Sequence, residues 1–85
     1  MTVLSLADIE AAIRGALDTI RPGAVGLPGN ADLMQEADLD SIDVMDLAME
    51  IEDRLDLSIP VETLAQARTI DSLRAGIHQL NGSKP

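Results

Sequence analysis

Apolar residues recur along most of the chain at the three- and four-residue spacing that is typical of amphipathic helices. In residues 5–21 they share one helical face, which consists of Ile9, Ile13, Leu17 and Ile20. Ser5 followed by Asp8 resembles a capping box at the start of this face, and Pro22 cannot continue a helix beyond it. The pattern therefore predicts a first helix over about residues 5–21.

The next helical pattern, over about residues 41–55, has two separate apolar stripes. The first stripe consists of Val44, Leu47, Ala48, Ile51 and Leu55. The second stripe consists of Ile42, Met45 and Met49, and the acids beside it are Asp43, Asp46, Glu50 and Asp53. A helix with one packing partner needs one stripe, so the first stripe predicts a core face. The second predicts either a docking face or a face that a loop covers, and the adaptability of methionine favours docking.

Two further helices follow the central one. The residue before Pro60 avoids the helical region, and Pro60 itself can open a short helix over about residues 60–66. Thr69 then predicts the N-cap of a last helix over about residues 70–80. The apolar face of that helix consists of Ile70, Leu73, Ile77 and Leu80.

The connection between the first and central helices, residues 22–40, is long for a small domain and rich in glycine and proline. Its apolar residues are expected to anchor it: Ala24, Val25, Leu27, Leu33 and Met34. No alternating apolar run predicts a strand. We therefore expect an all-α fold in one domain, residues 1–85. It would be a small bundle of three main helices plus one short helix, with a long loop between the first and second helices.

Charge bears on the class of partner. Fifteen acids stand against six lysines and arginines, which gives a formal net charge of −9. Ten of the acids lie between residues 32 and 56, where only Arg54 opposes them: Asp32, Glu36, Asp38, Asp40, Asp43, Asp46, Glu50, Glu52, Asp53 and Asp56. Such a segment repels nucleic acid and anionic membranes and attracts basic protein surfaces. We expect protein partners and no nucleic acid.

Composition narrows the possibilities further. The chain has no cysteine, so neither a disulfide framework nor a cysteine-based zinc site can support it. It has no aromatic residue, so the core must be aliphatic. No apolar run approaches transmembrane length, and the N-terminus lacks a basic region followed by an apolar stretch. We expect a cytoplasmic monomer without membrane insertion.

Motifs for catalysis or metal binding are weak. His78 is the only histidine, and no third orienting group completes a dyad with Ser41. The acids around residue 40 resemble a calcium loop, but Ile42, Asp43 and Met49 stand where that loop needs a ligand, a glycine and a glutamate. The glycines form no nucleotide-binding pattern. We expect no catalytic residue and no dedicated metal site.

Ser41 is the residue with the clearest chemical potential. It lies in the first turn of the central helix, where Asp40 can act as the N-cap and Asp43 suits the positive end of the helix dipole. Backbone N–H groups and the dipole there favour an attached phosphate. The alternative is a plain surface hydroxyl beside a cap, since Asp-Ser pairs are common at helix starts.

Several stretches of the chain resemble the acyl carrier proteins. They are the Asp-Ser-Ile-Asp of residues 40–43 with the acidic and apolar helix after it, the Asp-Leu-Ser-Ile-Pro of residues 56–60, and the helix start at Thr69. The resemblance is close over residues 33–80. Asp-Ser-Ile alone is weak, but the combination with the acidity and the Ile-Pro spacing is specific.

The resemblance implies that Ser41 carries 4′-phosphopantetheine, transferred from coenzyme A by a phosphopantetheinyl transferase. The arm would hold acyl groups as thioesters, so a chain without cysteine could still act as a thiol carrier. The implied function is that of a non-catalytic acyl carrier protein in fatty acid, polyketide or specialised lipid synthesis. Its partners would be loading ligases or transferases and downstream synthases with basic docking patches.

The resemblance also assigns residues to two surfaces. Partner recognition falls on Asp40, Ile42, Asp43, Met45, Asp46, Met49, Glu52 and Asp53. An acyl chain that inserts between helices would meet Ala48, Ile51, Ile59 and Leu64.

Departures from the family pattern favour a specialised member. Asp38 stands where the pattern has glycine, and three residues dilute a short helix that is usually acidic: Val61, Ala65 and Gln66. The position near the end of the central helix that is often phenylalanine is Leu55. Two alternatives stay open: a stand-alone aminoacyl or peptidyl carrier with the same attachment chemistry, and an unmodified acidic helical adaptor.

Overall fold

The computed structural model describes residues 4–82, with side chains as far as residue 80. Within that part the chain forms five α-helices and no strand, so the expected all-α class is confirmed. The helices are α1 (Leu6–Ile20), α2 (Leu33–Glu36), α3 (Ser41–Leu55), α4 (Val61–Gln66) and α5 (Ile70–Gly82), with a 3-10 turn at Pro22–Ala24. The predicted domain limits, residues 1 and 85, lie outside the described residues.

The predicted capping residues hold the helix starts. Ser5 and Asp8 form a capping box, in which the Ser5 hydroxyl accepts the Asp8 N–H at 3.0 Å. The Thr69 hydroxyl accepts the Ser72 N–H at 3.0 Å, which confirms Thr69 as the cap of α5. Pro60 was predicted as the first residue of α4 but is its N-cap residue, because its backbone is extended, so the helix begins one residue later than predicted.

The connection between α1 and α3 contains α2, a helix that the sequence pattern did not predict. The Asp32 carboxylate caps it by accepting the N–H groups of Met34 at 3.0 Å and Gln35 at 3.2 Å. Four residues are too few to display a helical period, so the hydrophobic pattern could not reveal this element.

The predicted anchors of the connection are only partly confirmed. Ala24 and Leu33 are buried, and Leu27 is half-buried against the core. Val25 and Met34 are exposed, so the prediction is wrong for these two residues. On the one-turn helix α2, Leu33 faces the core and its neighbour Met34 points to solvent.

The core lies where α1 packs against both α3 and α5. Its α-helical residues are Ile9, Ile13, Ala16 and Leu17 from α1, Leu33 from α2, Leu47 and Ile51 from α3, and Ile70, Leu73 and Ile77 from α5. All are aliphatic, as the composition requires, and their removal from water drives the helices together. No helix within residues 4–82 is both long and apolar enough to cross a bilayer.

Two arginines and a glutamate join the long connection to the bundle. Arg14 Nη1 donates to the carbonyl oxygens of Val25 at 3.0 Å and Leu27 at 2.8 Å. Its Nε donates to Glu10 at 2.9 Å, and Arg74 of α5 pairs with the same carboxylate. The network therefore links α1, α5 and the connection.

Gly29 is a close approach between the connection and α5. The Asp71 N–H donates to the Gly29 carbonyl oxygen at 2.9 Å, and a Cβ at residue 29 would collide with the Asp71 carboxylate. A larger residue at position 29 would therefore require the Asp71 side chain or the connection itself to move.

Replacing Glu10 with glutamine is expected to remove a pH-dependent part of the stability. Hydrogen bonds from Arg14 and then from Arg74 lower the pKa of the Glu10 carboxyl from its ordinary value of 4.5. Its contribution is complete above that ordinary value and is lost as the pH falls through the lowered folded value. The difference in free energy of unfolding between wild type and Glu10→Gln should be present at neutral pH and shrink in acid.

Urea denaturation at neutral and acidic pH measures this difference. Glu36→Gln is the control, since Glu36 is exposed and has no ion pair with the described residues. A Glu10→Gln difference of the same size at both pH values would contradict the prediction.

Candidate functional site

The N-terminus of α3 places Ser41 at the first helical position. Asp40 is the N-cap, and its Oδ1 accepts the Asp43 N–H at 2.8 Å. In return, Oδ2 of Asp43 accepts the Asp40 N–H at 3.3 Å, which completes a capping box. The predicted N-cap is thus confirmed, and the two carboxylates fix the turn that carries Ser41.

Ser41 itself is exposed, and no described side chain forms a hydrogen bond with its hydroxyl. Within the described residues, the Ser41 oxygen is therefore accessible and has no base hydrogen-bonded to it. A phosphate attached to this oxygen would stand at the positive end of the helix, where it is well tolerated. The site suits modification by another enzyme.

The second apolar stripe of α3 is exposed. Ile42, Met45 and Met49 are 67%, 64% and 62% exposed, so the alternative that a loop covers them is wrong. Large apolar side chains at this exposure, close together and bordered by acids, are typical of a protein-docking surface. We call these three residues the apolar stripe.

The acids predicted for partner recognition divide into two groups. Asp40, Asp43 and Glu52 are engaged within the chain, since the first two form the capping box and Glu52 accepts the Ile59 N–H at 2.7 Å. Asp46 and Asp53 are exposed and form no ion pair with the described residues. Among the described residues 4–82, no group of three or more acidic or histidine side chains could hold a metal ion.

Arg21 contacts the same turn from the end of α1. Its Nη2 donates to the carbonyl oxygen of Asp38 and to Oδ2 of Asp43, each at 3.1 Å. Asp38, which stands where the family pattern has glycine, has a φ of 55° in the left-handed region. Glycine adopts that region most easily, and aspartate is among the few other residues that tolerate it.

A cleft of about 410 Å³ lies beside Ser41. Its lining is mostly apolar and comes from the long connection, α3, α4, the segment between α4 and α5, and the start of α5: Leu33, Met34, Ser41, Val44, Met45, Leu47, Val61, Leu64, Ala65, Ala67, Arg68 and Leu73. A volume of this size lies within the roughly 300–1,000 Å³ range of small-molecule sites. A second cleft, of about 480 Å³, lies between α4 and α5 and has a more polar lining that does not include Ser41.

The structure separates the four residues predicted for an acyl pocket. Leu64 lines the cleft beside Ser41. Ala48, Ile51 and Ile59 are buried and do not line it. Only Leu64 is therefore placed together with Ser41 in one cleft.

The sequence pattern did not predict several residues of the site. Met34 and Val61 line the cleft and are exposed, and Arg68 lies in its wall, paired with Asp32 at 2.9 Å. One signal in the sequence was available: Val61, which makes the short helix less acidic than usual in the family, is also one of the residues that line the cleft. No local signal links Arg21 to residues about twenty positions further along the chain.

Comparison with protein families gives one finding. A family model described as a phosphopantetheine attachment site matches residues 7–77, a range that includes Ser41 and the cleft. Domains of this kind attach the 4′-phosphopantetheine prosthetic group, so the expected cofactor and the resemblance to carrier proteins are confirmed. Searches of curated proteins and of solved structures gave no match.

Proposed function

Because the chain belongs to the phosphopantetheine attachment site family, we propose that it is an acyl carrier protein whose prosthetic arm is attached to Ser41. The observation that supports this proposal is the exposed Ser41 hydroxyl at the capped start of α3, beside an apolar cleft. When bound, the arm supplies a thiol that holds an acyl group as a thioester. The chain supplies the attachment point, a docking surface and an apolar cleft for the acyl group, and it is itself a non-catalytic carrier.

The attachment step is a phosphoryl-group transfer. The Ser41 oxygen forms a bond to the phosphorus that bears pantetheine, and the pyrophosphate bond of coenzyme A breaks. Adenosine 3′,5′-bisphosphate leaves, and a base of the transferase takes the serine proton. Since no described side chain of the carrier forms a hydrogen bond with the hydroxyl, the carrier contributes the position and exposure of the oxygen.

Docking would use the apolar stripe together with the acids that remain available beside it. Asp46 and Asp53 are the strongest candidates, because Asp40, Asp43 and Glu52 are already hydrogen-bonded within the chain. Exposed acids steer basic partners and are screened by salt. Encounters with the transferase, ligases and synthases would accordingly be brief and salt-sensitive.

Replacing Asp46 or Asp53 with asparagine is expected to weaken transferase binding about two- to fivefold at low salt, the range that exposed ion pairs support. The loss should disappear at high salt because the charges are then screened. Asp18→Asn is the control, since Asp18 is an exposed acid on α1. Titration calorimetry at two salt concentrations measures the effect, and an equal loss in Asp18→Asn would contradict the assignment.

The cargo is proposed to be an acyl chain, because the cleft beside Ser41 is lined mainly by aliphatic side chains. Leu64, Val61 and Met45 would contact such a chain. The protein that bears the phosphopantetheine arm, but no acyl group, is incubated with a fatty-acyl ligase and with an amino-acid ligase. This comparison separates the proposal from an aminoacyl carrier. Acylation by the first alone supports an acyl carrier, and aminoacylation alone contradicts it.

Incubation with coenzyme A and a promiscuous phosphopantetheinyl transferase tests attachment. The intact mass should rise by one phosphopantetheine unit. A folded protein that gains nothing would instead support the unmodified acidic adaptor. Two features stay predictions from the sequence. They are a role in fatty acid, polyketide or specialised lipid synthesis, and a cytoplasmic location.

A further inference from the structure

Arg21 contacts the chain on both sides of Ser41. Its Nη2 reaches the Asp38 carbonyl oxygen and the Asp43 carboxylate, at 3.1 Å each. Asp38 lies three residues before Ser41, and Asp43 lies two residues after it. One guanidinium group, held at the end of α1, therefore spans the turn that presents the serine.

That turn is one that benefits from an external support. Asp38 adopts a left-handed backbone, which aspartate tolerates but glycine adopts more easily. Oδ2 of Asp43, which accepts from Arg21, also accepts the Asp40 N–H at 3.3 Å. Loss of Arg21 would leave both the Asp38 carbonyl oxygen and the capping carboxylate of Asp43 without this partner.

We propose that Arg21 is a positioning residue for the transfer of phosphopantetheine to Ser41, which it assists by holding the backbone on both sides of the serine. The inference rests on the proposed function. Arg21 need not touch coenzyme A, because it acts through Asp38 and Asp43. A small displacement of a reacting oxygen slows a transfer reaction substantially, so a residue that fixes this turn affects the rate.

Arg54 provides a matched control. It also joins α3 to α1, since its Nη2 donates to the Thr19 hydroxyl at 3.2 Å, but it does so near the other end of α3. The two arginines are equally accessible, with 43% of the Arg21 side chain and 42% of the Arg54 side chain exposed. Each alanine substitution removes one positive charge and one link between α1 and α3. Only Arg21→Ala removes the contacts beside Ser41.

The test compares modification kinetics of wild type, Arg21→Ala, Arg21→Lys and Arg54→Ala, followed by intact mass. Arg21→Ala should lower kcat about fivefold, the effect expected from loss of a half-exposed ion pair. Its KM should be unchanged or lower, because the surface becomes more acidic and still attracts a basic partner. Arg54→Ala should keep the wild-type kcat. Arg21→Lys should restore most of the rate, since a cation stays in place while the buried, unpaired Nε of Arg21 is removed.

Amide spectra of the unmodified variants give a second readout. Arg21→Ala should shift the ¹H–¹⁵N signals of Asp40, Ser41 and Asp43 more than Arg54→Ala does. Equal shifts, or equal kcat values for the two alanine variants, would overturn the positioning role while leaving wild-type modification intact. If wild type gains no phosphopantetheine at all, the proposed function is overturned, and the positioning role falls with it.

Discussion

Ser41→Ala is expected to abolish the gain of phosphopantetheine completely. Alanine lacks the oxygen to which the phosphorus would bond, and no other residue shares the setting of Ser41 at the capped start of α3. Because Ser41 is exposed, the free energy of unfolding should change by no more than about 0.5 kcal/mol. Intact mass after incubation with coenzyme A and a transferase measures the loss of modification.

Ser58→Ala is the matched control for this prediction. Ser58 is also exposed and lies in the segment between α3 and α4, outside any helix. The control should gain one unit at the wild-type rate. A Ser41→Ala protein that still gained a unit would place the attachment elsewhere.

Ile51→Ala is expected to lower the free energy of unfolding by about 2 to 5 kcal/mol. Ile51 is fully buried on α3, in a core that is entirely aliphatic. Its truncation would leave a cavity in that core, and the chain has no large aromatic side chain that could move to fill it. Small domains have about 5 to 15 kcal/mol in total, so the variant would lose a large part of its stability. Urea denaturation measures the loss.

Leu64→Ala is the comparison for the core variant. Leu64 is half-buried in the wall of the cleft, so its truncation should cost less than that of Ile51. We expect Leu64→Ala to weaken retention of an acyl chain while the fold persists. Equal destabilisation by the two substitutions would contradict the division between core and cleft.

Features that depend on neighbouring residues were predictable from the sequence. The capping boxes of α1 and α3 join residues three positions apart, so the pairs Ser5 with Asp8 and Asp40 with Asp43 reveal them. The core stripe of α3 follows from helical period alone. The position of Ser41 at the start of a helix was accessible for the same reason.

Features that depend on distant contacts were not predictable. The partners of Arg21 lie seventeen and twenty-two positions away in the chain. The helix α2 consists of one turn, and tertiary packing decides that Leu33 is buried while Met34 is exposed. Ile51 and Ile59 belong to the buried core and do not line the cleft, and this outcome of tertiary packing has no local sequence pattern.

The exposure of the apolar stripe was only partly predictable from the sequence. Its period showed that Ile42, Met45 and Met49 share a face, but either solvent or a loop could have met that face. The long connection instead packs against the core through Leu33 and Leu39, and it leaves the stripe exposed. The sequence defined which residues share this face, and the tertiary structure decided that they are exposed.

The central claim, that the oxygen of Ser41 bears the prosthetic arm, is tested most directly by ³¹P–¹H correlation spectroscopy of the modified protein. The phosphodiester phosphorus should couple to the β-protons of Ser41 on one side and to pantetheine protons on the other. Coupling to the protons of any other residue, or a folded protein that several transferases leave without a phosphodiester signal, would contradict the account.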